Sequence, residues 1–92
     1  MGPVSSVVLS ASGAALGRPG ELVGVVLTPA AATATVTIYD NASGASGTKL
    51  VSLQAGANGA SAVFAPAAGI GCAQGLYASL SGAGAEVTVL VG

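Results

Sequence analysis

Short runs of apolar residues, most of them alternating with polar ones, recur along the chain and predict β-strands. Over residues 33–39, threonines alternate strictly with Ala34, Val36 and Ile38. Residues 21–28 are apolar on both faces of a strand, which predicts a central strand. Further strands are predicted over residues 4–10, 14–16, 48–54, 60–64, 75–81 and 85–91.

Clusters of Gly, Pro, Asn and Ser separate these runs and predict turns. Asn58 before Gly59 suits a tight turn that needs a positive φ, and Gly82-Ala83-Gly84 predicts a hairpin between the last two strands. Residues 40–47 and 66–74 are predicted loops, the second of which holds Cys72. Seven or eight short strands without a break in composition predict one all-β domain over residues 1–92, a small β-sandwich of jelly-roll or immunoglobulin-like type.

The alternation also predicts a core made of small aliphatic side chains. A domain of this size buries only about 60–65% of the surface of its unfolded chain. The chain has one Phe and no Trp, so we expect the isolated monomer to be marginally stable and to gain stability by association. The predicted core residues are Leu22, Val26, Ala34, Val36, Ile38, Val51, Leu53, Val63, Leu76, Ala78, Leu80, Val87, Val89 and Val91.

The composition removes most of the side chains that catalysis uses. The chain has no His and one Cys, which excludes a His-based triad, a His metal site, a zinc cluster and an intrachain disulfide. Only two residues are basic and three are acidic, for a net charge of −1, so a run of phosphates cannot be neutralised and no nucleic-acid partner is expected. We therefore expect no enzyme activity, no catalytic, cofactor-binding or metal-binding residues, and no cofactor.

Three motifs are incomplete. Asp40 begins like a calcium loop, but the twelfth position is Val51 and not Glu, so Asp40 and Asn41 are predicted to make Asx-turn hydrogen bonds. The glycines around Cys72 miss the dinucleotide-binding spacing by one residue. Cys72 has no His to act as a base, so we expect it to be a small apolar filler.

The remaining charges and the high mean hydropathy of +0.83 also have structural interpretations. Arg18 and Glu21 flank one turn and are predicted to pair, whereas Lys49 and Glu86 are predicted to protect edge strands. Residues 22–39 form an uncharged run of 18, close to the length of a membrane-spanning helix. Pro29 and the period of two in this run favour strands, so no membrane partner is expected.

Three segments carry a resemblance to a known group of proteins: ELVGVVLTPAAATATVTIYDN at residues 21–41, SGASGTKL at 43–50 and GLYASLSGAGAEVTVLVG at 75–92. Together they resemble small β-sandwich virion proteins of tailed bacteriophages, many of which are capsid decoration (cement) proteins. The resemblance implies a structural protein on the capsid surface of the virion, with the major capsid protein as its partner. Together with the depletion of charge, it leads us to expect a homotrimer that stabilises the shell.

An alternative function remains open, that of a tail, collar or fibre-tip domain that binds the host surface through carbohydrate. Sugar sites commonly present aromatic side chains, and the chain offers only Tyr39, Tyr77 and Phe64, of which Phe64 and one Tyr are expected in the core or an interface. For a decoration protein, the Gly- and Ser-rich loops at residues 41–47 and 65–74 are the expected contact surfaces.

Overall fold

The computed structural model describes residues 5–65 and 69–92 and is all-β, as the sequence pattern predicts. The described residues form two antiparallel sheets that pack face to face as a small β-sandwich. The first predicted strand begins at Val4, which lies outside the described residues. The strands are β1 (Ser5–Leu9), β2 (Gly13–Leu16), β3 (Gly20–Thr28), β4 (Ala34–Asp40), β5 (Thr48–Ala55), β6 (Ala62–Phe64), β7 (Ile70–Cys72), β8 (Leu76–Ser81) and β9 (Glu86–Val91).

The order of the strands is that of a jelly roll. Sheet I has the order β1-β9-β3-β6, with β7 also paired to β3, and sheet II has the order β2-β8-β4-β5. The chain passes from one sheet to the other at most connections, and β4 and β5 form a hairpin. Apart from the short β7, this arrangement is the double Greek key of a jelly roll and not the strand order of an immunoglobulin domain.

The core lies between the inward faces of the two sheets, and most of its predicted members are buried. Val51, Leu53 and Leu80 are half-buried and pack against the edge of this core. The predicted residues that are buried are Leu22, Ala34, Val36, Ile38, Leu76, Ala78, Val87, Val89 and Val91.

The predictions for Val26 and Val63 are wrong because β3 contains a bulge. Leu22 pairs with Val91 but Gly24 pairs with Leu90, so an extra residue shifts the alternation of β3 by one position. Val25 is consequently buried, whereas Val26 faces outward. Val63 is the cross-strand partner of Val26 and shares its outward face, where it is 63% exposed.

Two predicted connections differ in the structure. Within the predicted loop 66–74, residues 66–68 lie outside the described residues, but β7 pairs with β3 and places Cys72 in the core, as expected for an apolar filler. The predicted hairpin at residues 82–84 is wrong, because β8 belongs to sheet II and β9 to sheet I. Asn58 has a φ of 54°, which confirms the turn predicted before Gly59.

The charged residues also occupy partly unexpected places. Lys49 lies on the edge strand β5 as predicted, but Glu86 lies on β9, which is flanked by β1 and β3. The guanidinium of Arg18 contacts the carbonyl oxygen of Pro19 at 3.5 Å and does not make the predicted ion pair with Glu21. No helix in the described ranges has the length and apolar character needed to cross a membrane.

Candidate functional site

The outward face of sheet II carries hydrogen-bonding side chains on three adjacent strands. On β4, the buried residues alternate with outward Thr35, Thr37 and Tyr39. Thr37 lies between Ser52 and Ser79 in the adjacent strands, and its hydroxyl is 3.3 Å from that of Ser52. We call six of these side chains the hydroxyl rows: Thr35, Thr37, Ser52, Gln54, Ser79 and Ser81.

The next row of this face contains both tyrosines of the chain. Tyr39 on β4 is the cross-strand partner of Tyr77 on β8 and of Lys49 on β5, and we call these three residues the tyrosine patch. Directly opposed side chains of antiparallel strands have Cβ atoms about 4.5–5.5 Å apart. Both tyrosines are half-buried and neither belongs to the core, so a place for one of them in an interface stays a prediction. Phe64 packs against the core, as expected.

A β-bulge lies on each edge strand beside the tyrosine patch. In β5, Ile38 pairs with Val51 but Tyr39 pairs with Lys49, so Leu50 is the extra residue. The bulge packs Leu50 against the core and places Lys49 opposite Tyr39. In β2, the register shifts between Ala14, the partner of Tyr77, and Leu16. Bulges are frequent next to functional sites because they redirect side chains, and here they flank one row of side chains on both sides.

The carboxylate of Asp40 ties the end of β4 to the segment before β8. Its Oδ1 accepts hydrogen bonds from the backbone N–H groups of Gln74 (2.9 Å) and Gly75 (3.4 Å), and its Oδ2 accepts one from Ala73 (3.1 Å). The bonds from Gln74 and Ala73 are the main reason that the pKa of Asp40 is lowered. The predicted Asx turn at Asp40 is therefore wrong, because its partners are far along the chain.

Asn41 does make the predicted Asx turn and organises the loop that follows. Its Oδ1 accepts hydrogen bonds from the N–H groups of Ser43 (2.9 Å) and Gly44 (3.0 Å). Its Nδ2 donates to the carbonyl oxygen of Ser46 (3.2 Å) and to the Ser46 hydroxyl (3.1 Å). All its amide atoms thus bond within residues 41–46, and the loop borders the tyrosine patch with a defined shape.

The sequence segments that carry the resemblance meet at this end of sheet II. Residues 38–41 (IYDN) supply Tyr39 and Asp40, residues 48–50 (TKL) supply Lys49, and residues 75–77 (GLY) supply a donor to Asp40 and Tyr77. Sequence reasoning named these residues separately and missed their association. The alternation of residues 33–39 already places Tyr39 outward, but only the pairing of β4 with β8 brings Tyr77 to it.

Replacement of Asp40 by Asn tests this connection. We expect Asp40→Asn to lower Tm at neutral pH, because an amide keeps one acceptor oxygen and directs its NH2 group at the N–H of Ala73 or, in the flipped orientation, at that of Gln74. The lowered pKa means that the stabilisation by Asp40 is present above the pKa of Asp in the unfolded chain, about 3.9, and is lost as the pH falls through the lower folded value. Thermal unfolding of both proteins across this range should show their Tm values converging in acid. A Tm difference that is the same at neutral and acid pH would contradict the proposed role of the carboxylate.

The outward face of sheet I has the opposite chemistry. Val8, Thr88, Val26 and Val63 form one row across four strands, and Leu90 covers the adjacent Gly24. We call these five side chains (Val8, Val26, Val63, Thr88 and Leu90) the valine face; Val8 is 60% and Val63 is 63% exposed. Glu86, Thr28 and Ser61 border it at one end, where the hydroxyls of Thr28 and Ser61 are 3.3 Å apart.

Neither outward face provides the geometry of a metal or cofactor pocket. Within residues 5–65 and 69–92, no group of three potential metal ligands comes together, and these residues enclose no pocket.

Cys72 is 6% exposed, and burial raises the pKa of its thiol, which disfavours the thiolate. Comparisons with models of protein families, with curated proteins and with solved structures find no match to the chain.

Proposed function

We propose that this domain is a non-enzymatic structural protein of a tailed-bacteriophage virion. It binds the outside of the capsid shell as a homotrimer and stabilises the shell through contacts with the major capsid protein. The observation that carries this proposal is the valine face, because exposed aliphatic side chains grouped on one face of a sheet are suited to burial against another protein. The jelly-roll fold, which is common among capsid domains, agrees with it.

The low charge of the chain suits a densely repeated assembly. Five charged side chains and a net charge of −1 leave little electrostatic repulsion between neighbouring copies. The valine face is small, so a single contact is expected to be weak. Many copies on one shell would bind firmly because the contacts of a multivalent assembly act together.

The test is the binding of purified protein to particles that lack it. Val8→Asp and Val63→Asp each place a carboxylate on the valine face, and burying an unpaired charge costs several kcal/mol. We expect each variant to lose binding by about 100-fold or more while remaining folded. Ser79→Asp, on the opposite face, is the matched control and should bind normally. Normal binding of both valine variants would refute the assignment of the valine face, and single copies on decorated particles, instead of groups of three, would refute the homotrimer.

A second candidate function is a tail, collar or fibre-tip domain that binds the host surface. The specific observation in its favour is the tyrosine patch, which places both tyrosines in one outward row. The copy number of this chain in purified particles separates the two functions. A number comparable to that of the major capsid protein supports decoration, a few dozen copies or fewer supports the tail or fibre, and absence from particles excludes both.

A further inference from the structure

We propose that the tyrosine patch and the hydroxyl rows beside it form a binding surface for a neutral polysaccharide. The proposal goes beyond the shell contact and does not depend on it, because the surface lies on the sheet opposite the valine face. The same surface would bind polysaccharide whether the protein lies on the capsid or on the tail.

The chemistry of this surface matches the two sides of a sugar. A pyranose ring presents apolar C–H faces, which pack on aromatic rings, and an edge of hydroxyls, which exchange hydrogen bonds with Ser, Thr and Gln. The tyrosine patch supplies two aromatic rings in adjacent strands, and the hydroxyl rows supply five hydroxyls and one amide. The members of these rows are hydrogen-bonding side chains without exception, in contrast to the valine face.

The spacing of the sheet sets the geometry of contact. Tyr39 and Thr37 point to the same face two residues apart, a separation of about 6.8 Å along the strand. A ring packed on Tyr39 or Tyr77 therefore has its hydroxyl edge near Thr37 and Ser79. The next sugar of a chain running along the strands would then meet Thr35 and Ser81.

Neighbouring residues hold the two tyrosines of the tyrosine patch in place before any ligand binds. Asp40 follows Tyr39 directly and fixes the segment that leads into Tyr77 through its bonds with residues 73–75. The bulges in β2 and β5 set the neighbours of both tyrosines. A preformed surface avoids the entropy cost of ordering side chains on binding.

The shape and charge of the surface select the kind of carbohydrate. The surface is an open sheet, since the described residues enclose no pocket, so it suits an extended polymer and not a free monosaccharide. Lys49 is the one charged side chain of the tyrosine patch, and the carboxylate of Asp40 is occupied by three backbone donors. A single cation favours a neutral polymer over a polyanion, which would need several.

Affinity electrophoresis in native gels that contain dextran, mannan or a mixed-linkage β-glucan tests the proposal. We expect at least one of these neutral polymers to retard the protein. Intrinsic fluorescence gives a second measurement, because the chain has no Trp and both tyrosines lie in the patch. The emission of the two tyrosines should therefore change as the retarding polymer is added.

Substitution at the two tyrosines identifies the surface. Tyr39→Thr and Tyr77→Thr retain a residue suited to a strand but remove the ring, and together should weaken retardation about tenfold or more. Tyr39→Phe and Tyr77→Phe keep the rings and should retain most of the binding. Val63→Thr, on the valine face, is the matched control and should leave retardation unchanged.

Three results would overturn the proposal: no retardation by any of the neutral polymers, retardation unaffected by the two Tyr→Thr changes, or retardation by alginate alone that disappears at high salt. The Tyr→Thr variants should lose binding to the polymer but still bind particles that lack the protein. Val63→Asp should lose binding to the particles but still bind the polymer. Failure of the polysaccharide site is thus distinguishable from failure of the shell contact.

Discussion

Val25→Asp is expected to leave the chain unfolded, whereas Val26→Asp, one residue further along β3, is expected to fold. Val25 is fully buried, so the carboxylate introduced by Val25→Asp would be enclosed among aliphatic side chains without a partner. The cost of several kcal/mol is comparable with the whole stability of a domain of this length, about 5–14 kcal/mol. Val26 is half-buried on the valine face, where a carboxylate can reach water.

Far-UV circular dichroism and thermal unfolding of the two variants provide the measurement. The milder pair Val25→Ala and Val26→Ala gives a quantitative control if Val25→Asp cannot be purified. Val25→Ala should lower the free energy of unfolding by about 1.5–3 kcal/mol, and Val26→Ala by clearly less. A larger loss at Val26 would mean that β3 follows the unbroken alternation from Leu22 and has no bulge. Equal losses would contradict the assignment of Val25 to the core and of Val26 to the outward face.

The same pair of residues shows what the sequence could predict. In the regular strands β4, β8 and β9, alternation predicted the buried face correctly. Alternation cannot reveal a bulge, because an extra residue in one strand is defined only by its partner strand. In β3, the run of Leu22, Val23, Val25, Val26 and Leu27 is apolar in either register, so nothing local decides which side faces inward.

Features that depend on the order of the strands were also beyond the sequence. Glu86 opens a strand whose pattern would suit an edge, but the jelly-roll order places β9 between β1 and β3. Ile70 to Cys72 lie in a segment with glycines at positions 69, 71 and 75, and they form a strand because β3 has a free side there. The tyrosine patch is the functional case: each Tyr was visible as one of three aromatic residues, but their pairing is a property of the assembled sheet.

Gly82→Ala is expected to destabilise the domain strongly, because the connection from β8 to β9 crosses between the sheets at a crowded point. Gly82 has a φ of +113°, where a side chain is strained by about 1–3 kcal/mol. An added Cβ would lie 2.8 Å from the carbonyl oxygen of Thr33 and 2.9 Å from the Cα of Ala34, at the start of β4. Backbone strain alone should lower Tm by about 5–20 °C, and displacement of β4 would add to it.

The matched control for this change is Gly56→Ala, in the turn after β5. An added Cβ there meets no atom within 4 Å, and Gly56 is not among the glycines with positive φ. Its Tm should stay the same or rise slightly, since alanine restricts the unfolded chain and contributes about 0.4–1 kcal/mol of stability at compatible sites. Differential scanning calorimetry of the two variants and the wild-type protein compares their Tm values. If Gly82→Ala unfolds at the wild-type Tm, the segment has room for a side chain. The connection from β8 to β9 would then lie further from β4 than in the structure. Equal losses at Gly56 and Gly82 would mean that crowding at the crossing is not what destabilises Gly82→Ala, because Gly56 has no such neighbours.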